Sequence, residues 1–196
     1  GMDISPPLDR LAAELRELRD LGPASPLHFT VPSPRIAPSG EITRYARAAM
    51  DGAPTTRAAV EAFGLTLHRD MRFDPDATTV DTPAEDAFRA RHGVCQDFAQ
   101  IMIAGLRGVG IPAGYVSGFL RTLPPPGRPR LEGADAMHAW VRAWCGGAER
   151  WVDYDPTNAC FAARDHVTVA HGRDYGDVAP VSGVLRISGG QRTHHA

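Results

Sequence analysis

Leucines recur at helical spacing from Leu8 through Leu11, Leu15 and Leu18, with arginine and glutamate on the other faces. That pattern predicts an amphipathic helix over about 8–20, stopped near Gly22-Pro23, whose stripe packs on the main body or on a neighbour. Residues 23–40 lose the periodicity and carry five prolines, so they read as an extended linker. Helical spacing resumes at Ser39 and runs to about Met50, with Ile42, Tyr45, Ala49 and Met50 inward. It returns over roughly 55–71 with Val60, Phe63 and Leu67 inward. Thr82-Pro83-Ala84-Glu85 has the form of a capping box with proline at the first helical position, and Gly93 closes that short helix. A further helix over about 94–106 puts Phe98, Ile101, Met102 and Gly105 on one stripe and ends at Gly110-Ile111-Pro112.

Beyond that point strand signals replace the helical ones. Strands are predicted over 115–120, 138–144, 151–155 and 166–170, with a weaker one at 184–187. The Gly146-Gly147 pair turns the second of these into the third, while 122–135, with four prolines and no period, is a loop. Helices first and strands later predict an α+β layer arrangement.

The chain has 196 residues, one domain's worth, with 21 basic and 23 acidic side chains and a net charge of −2. That balance argues against nucleic acid or an anionic membrane as partner. Every basic residue is arginine, so an acyl-transfer enzyme built on this chain has no lysine of its own to use as acceptor. No run of 18 apolar residues occurs, and no basic-then-apolar leader stands at the N-terminus, which points to the cytoplasm. The three cysteines, Cys95, Cys145 and Cys160, are an odd number without zinc-ligand spacing. The histidines form no metal motif, and Asp74, Asp76 and Asp81 lack the glycine and terminal glutamate of a calcium loop. No metal or cofactor is expected.

Cys95 stands at a helix start just after a glycine break. Unpaired N–H groups there favour thiolate over thiol and can hold a developing oxyanion. By position alone a small buried thiol is the commoner outcome. A nucleophilic thiol needs a base, and the base needs an orienter. His138 opens the alternating run His138-Ala139-Trp140-Val141-Arg142-Ala143-Trp144, which sends His138, Trp140, Arg142 and Trp144 to one face. With 146–149 as the hairpin loop, Cys145 pairs with Arg150, His138 lies opposite Thr157, and Trp140 lies opposite Asp155. Asp155 is then the diagonal neighbour of His138, about 7–8 Å away between backbones. A loop tighter by two residues would put Asp155 directly opposite His138. In either register Asp155 is the better orienter, and Asp153 reads as solvated or salt-bridging.

Four segments in order carry a family resemblance: Gly93-Val94-Cys95-Gln96-Asp97-Phe98, the stretch from Gly110 to Gly118, His138-Ala139-Trp140, and Trp151 to Asn158. Together with Gly172 to Pro180 they resemble the bacterial transglutaminase-like superfamily, in its candidate cysteine protease branch, over roughly 40–190. The resemblance implies a papain-like core, with the cysteine helix packed on an antiparallel sheet. It also implies a Cys–His–Asp triad at Cys95, His138 and Asp155. Related chains usually carry arginine at Gly114, and many carry a β-rich N-terminal domain. Residues 1–38 are therefore read as a helix and linker, a candidate remnant of such a domain, followed by a catalytic core over 39–190 and a polar tail over 191–196. Tyr115 and Trp140 are candidate groove-lining residues, and Arg173, Asp174 and Asp177 read as structural ion pairs. The expected activity is acyl transfer on peptide or side-chain amides of a peptide or protein substrate, finished by water. The alternatives are amine transfer and a non-catalytic peptide-binding module.

Overall fold

The computed structural model describes residues 2–121 and 136–179. The 122–135 loop, the 184–187 strand and the 191–196 tail lie outside the described residues. The elements run α1 (Leu8–Glu17), a 3-10 turn (Pro26–Phe29), α2 (Gly40–Ala49), α3 (Thr56–Asp70), β1 (Arg72–Phe73), α4 (Ala84–Ala90), β2 (His92–Gly93), α5 (Cys95–Gly108) and β3 (Ala113–Leu120). They continue with β4 (Ala136–Trp144), the short turn α6 (Gly146–Glu149), β5 (Trp151–Asp155), β6 (Cys160–Phe161), β7 (His166–Gly172) and α7 (Tyr175–Val178). The main sheet has the order β6-β5-β4-β3-β7, and all its pairs are antiparallel. The short β1 and β2 form a parallel pair, which their two-residue length hid from any periodicity.

The centre of the fold is α5. Its predicted stripe, Phe98, Ile101, Met102 and Gly105, is buried, but so is every residue from Gln96 to Leu106. A helix apolar on all sides must be covered on all sides. Here β3 and β4 cover one side, and α2, α3 and α4 cover the others. Ser39 and Thr55 start α2 and α3 as read, their hydroxyls accepting from Ile42 N–H and Ala58 N–H. The capping box before α4 is not made. The Thr82 hydroxyl instead accepts from the Thr79 N–H at 2.9 Å, leaving Pro83 as a cap without a side-chain acceptor. Arg91, at φ 59°, ends that helix, before Gly93 is reached.

The segment 23–40 is not a free linker. Phe29 packs edge-on against Trp151 at 5.1 Å, Ile36 is buried, and the Arg35 N–H donates to Asp174 at 2.9 Å. Arg107, half-buried beneath it, reaches the Ser33 hydroxyl and the Ala113 and Arg173 carbonyls. Proline-rich backbone hides such packing because it buries isolated side chains without a period. Upstream, Leu11 is buried and the Pro6 carbonyl accepts from the Thr56 backbone and hydroxyl. Phe29 also explains Gly114: a Cβ there would sit 2.8 Å from the Phe29 ring and 2.8 Å from the Gly172 carbonyl. An arginine at 114 has no room in this chain.

Gly64 in α3 is a sharper constraint. A Cβ at that position would lie 2.0 Å from the fully buried Tyr154 ring. Gly64→Ala is therefore expected to destabilise the fold by about 2 kcal/mol or more, since overpacking outweighs the gain in helix propensity. Urea unfolding measures it, and an unchanged midpoint would contradict this packing.

Candidate active site

Cys95 is the first residue of α5 and is partly exposed. The helix start is fastened from inside by Asp97, whose Oδ2 accepts from the Val94 N–H at 2.8 Å and the Thr78 hydroxyl at 2.5 Å. Asp97 is almost wholly buried, so this fastening is shielded from water. The Asp97 and Phe98 N–H groups donate to the Val94 carbonyl, while those of Cys95 and Gln96 have no carbonyl one turn earlier to accept them. They leave a positive pole beside the sulfur.

β4 carries His138 toward that pole, where Cys95 is close enough to favour the charged form of the imidazole. The ring's Nε2 lies 2.7 Å from Asp155 Oδ2. A carboxylate only accepts, so Nε2 is the donor. The hairpin register is the one read with 146–149 as the loop: Val141 pairs with Tyr154 and Trp144 with Trp151. Asp155 is thus the diagonal neighbour, and the side chains close the gap.

Asp155 has no exposed surface. Its Oδ1 accepts from the Thr157 and Asn158 backbone N–H groups at 2.9 and 3.1 Å. Its Oδ2 accepts from His138, from Asn158 Nδ2 at 2.7 Å and from His166 Nε2 at 3.0 Å. Burial opposes the carboxylate's charge, but the His138 bond and charge, with Asn158 and His166, hold its pKa down at about 2. Burial likewise opposes protonation of His138, yet Asp155 and Cys95 outweigh it and lift the ring to about 9.

Trp140 shares the His138 face as predicted, with ring centroids 6.2 Å apart. It is fully buried and Tyr115 is nearly so, at 0% and 3% exposure. Neither has surface to offer a substrate, which corrects the groove-lining expectation. They are walls behind the site. Asp153 is half-exposed and acts on the charge of Arg142 opposite it, and its carboxylate also accepts from the Trp140 indole N–H at 3.2 Å. Arg173 and Asp177 form the expected ion pair at 2.8 Å. Asp174 instead caps α7 by accepting from the Gly176 N–H.

Sequence reasoning passed over Asn158 and His166. Asn158 had a signal only in its backbone, since an aspartate at a turn accepts from N–H groups two or three residues on. His166 had none, because β5 and β7 are separated by β4 and β3. The crossing is open at Gly118, where a Cβ would press 2.5 Å from Trp140.

Among the described residues, His138, Asp155 and His166 could present ligand atoms to a metal, all within 4.8 Å of one another. The hydrogen bonds argue against it. The Ala163 N–H points at His166 Nδ1 at 3.3 Å, which makes Nδ1 an acceptor and leaves the proton on Nε2. A metal at Nε2 would need that proton moved to Nδ1, against the Ala163 N–H.

Helices wrapped around a buried helix whose first residue meets an antiparallel sheet define the papain-like class of α+β fold. The chain belongs to the transglutaminase-like superfamily, whose core model matches residues 43–156. An uncharacterized protein of Mycobacterium tuberculosis is 43% identical over 122 residues, 61% of this chain and 39% of its own length. A protein-glutamine gamma-glutamyltransferase of Pseudomonas aeruginosa is 33% identical over 120 residues, 57% of this chain and 18% of its own. The crystal structure of a candidate cysteine protease from Cytophaga hutchinsonii superposes with a TM-score of 0.68 at 27% identity, covering 84% of this chain and 51% of that one. The chain thus spans about half or less of these proteins' lengths. No helix among the described residues is long and apolar enough to cross a membrane.

Proposed function

We propose that the protein is a cysteine-dependent acyl-transfer enzyme acting on peptide or side-chain amides, with water as the usual acceptor. The observation that carries the reading is an imidazole whose Nε2 is held at 2.7 Å by a buried carboxylate and whose charged form is favoured by the helix-start Cys95. Because Nε2 donates to Asp155, Nδ1 is left to exchange a proton with sulfur. The thiolate attacks the amide carbon, and the Cys95 N–H faces the oxygen as charge develops on it. The His138 imidazolium then gives its proton to the departing nitrogen, leaving an acyl thioester on Cys95. Water, deprotonated by the now neutral ring, releases the acid and restores the thiol. Asp155 keeps the imidazole in one tautomer and balances its charge throughout. The three free cysteines suit a reducing compartment such as the cytoplasm.

The alternative acceptor is an amine, which the likeness to a glutamyltransferase favours. Incubation with a glutamine-containing peptide and a labelled primary amine separates the two. Release of ammonia with formation of glutamate is expected. Label incorporated in place of acid would make the protein a transferase.

A further inference from the structure

We propose that His166 is a positioning residue: a fixed, neutral donor that keeps the Asp155 carboxylate ionised and limits its grip on His138 through both halves of the cycle. The inference rests on the acyl-transfer reading above, and it concerns a side chain that no part of that chemistry has yet used.

The geometry leaves His166 little freedom. Its Nδ1 accepts from the Ala163 N–H, so its Nε2 carries the proton that Asp155 accepts at 3.0 Å. The Trp140 ring stands edge-on to it at 5.2 Å and 83°. Its backbone is paired in β7 opposite Leu120, and its side chain is 7% exposed. A histidine merely filling space would not need a backbone group choosing its tautomer.

The need for such a donor arises midway through the cycle. While His138 is an imidazolium, Asp155 has a cationic partner. Once that proton leaves with the amine, the carboxylate is buried beside a neutral ring, which is costly without other donors. His166, Asn158 and two backbone N–H groups remain. By sharing Oδ2, His166 also limits how tightly the carboxylate holds the imidazolium, so the proton can depart. The titratable groups facing His138 are Cys95 from α5, Asp155 from β5 and His166 from β7, with Asp153 engaged by Trp140.

Removing the donor should make the carboxylate more basic and its grip on the imidazolium stronger. The test is the NMR titration of His138 in a Cys95→Ala background, which needs no turnover. In His166→Phe the midpoint is expected to rise by roughly one pH unit, a lost bond to a charged group shared among several donors. His166→Gln, whose amide restores a donor near the same point, should return most of the shift. If the phenylalanine variant does not fold, His166→Met carries the same expectation. Simple loosening would let the carboxylate drift and lower the midpoint, so a fall, no change, or a glutamine variant matching phenylalanine overturns the proposal. With Cys95 present, the alkaline limb of turnover should move up in parallel. An inert wild type would sink the acyl-transfer reading and leave the titration readable. Normal turnover with an unshifted midpoint would sink only the role of His166.

Discussion

Cys95→Ser is expected to lower kcat/KM on a glutamine-containing peptide by roughly 10⁴-fold or more, the scale seen when a nucleophile acting with a histidine is lost. The fold should be unaffected, since oxygen for sulfur at a partly exposed helix start removes little packing. The loss comes from the thiol itself. A serine hydroxyl is far less acidic, so neither the helix pole nor a ring that stays protonated to about pH 9 can supply an alkoxide. The same environment predicts which cysteine reacts. Near pH 6 iodoacetamide should modify Cys95 well ahead of Cys145, whose thiol burial pushes far above its ordinary range, and of Cys160, also raised by burial. Mass mapping of the alkylated peptides measures it. Equal labelling of the three would mean that Cys95 is an ordinary thiol.

Asp155→Asn should cost both activity and stability. Asparagine keeps the size but loses the charge, and its amide can turn a donor toward His138 and select the wrong tautomer. A fall in kcat of about 10⁴-fold is expected on that ground. Stability should drop by about 3 kcal/mol, because donors arranged for a carboxylate are left around a neutral group. The pH dependence distinguishes this from generic damage. Asp155 titrates near 2 in the fold against an ordinary 3.8, so its contribution is complete above 3.8 and lost as pH falls through 2. His138 titrates near 9 against 6.5, so its contribution is complete below 6.5 and lost as pH rises through 9. Wild-type stability should therefore peak between about pH 4 and 6.5 as far as this pair governs it. In Asp155→Asn the decline between pH 6.5 and 9 should shrink markedly, because Asp155 supplies the larger part of what retains a proton on His138 and only Cys95 remains. Denaturant midpoints across that range measure it, and an alkaline decline equal to wild type would show that the pair does not control it.

The alternation from His138 to Trp144 and the turn residues after it determined the hairpin and made Asp155 the better orienter in either of two registers, and the structure decided for the diagonal one. They could do so because pairing two adjacent strands is a local matter of loop length and period. The helices were equally legible from their apolar stripes, as in those starting near Ser39 and residue 55, whose caps the structure then supplied. The position of Cys95 ahead of an apolar run likewise fixed its place at a helix start. What the letters left open were contacts between elements far apart in the chain. The burial of α5 on every side, the docking of Phe29 and Ile36 and the walling-in of Tyr115 follow from packing several layers at once. His166 shows the reason most plainly. Its approach to Asp155 depends on the order of strands in the sheet, on the missing side chain at Gly118 and on one backbone N–H that selects its tautomer. Strand order and ring protonation are set by the summed packing of the whole core, and no spacing along the chain encodes them.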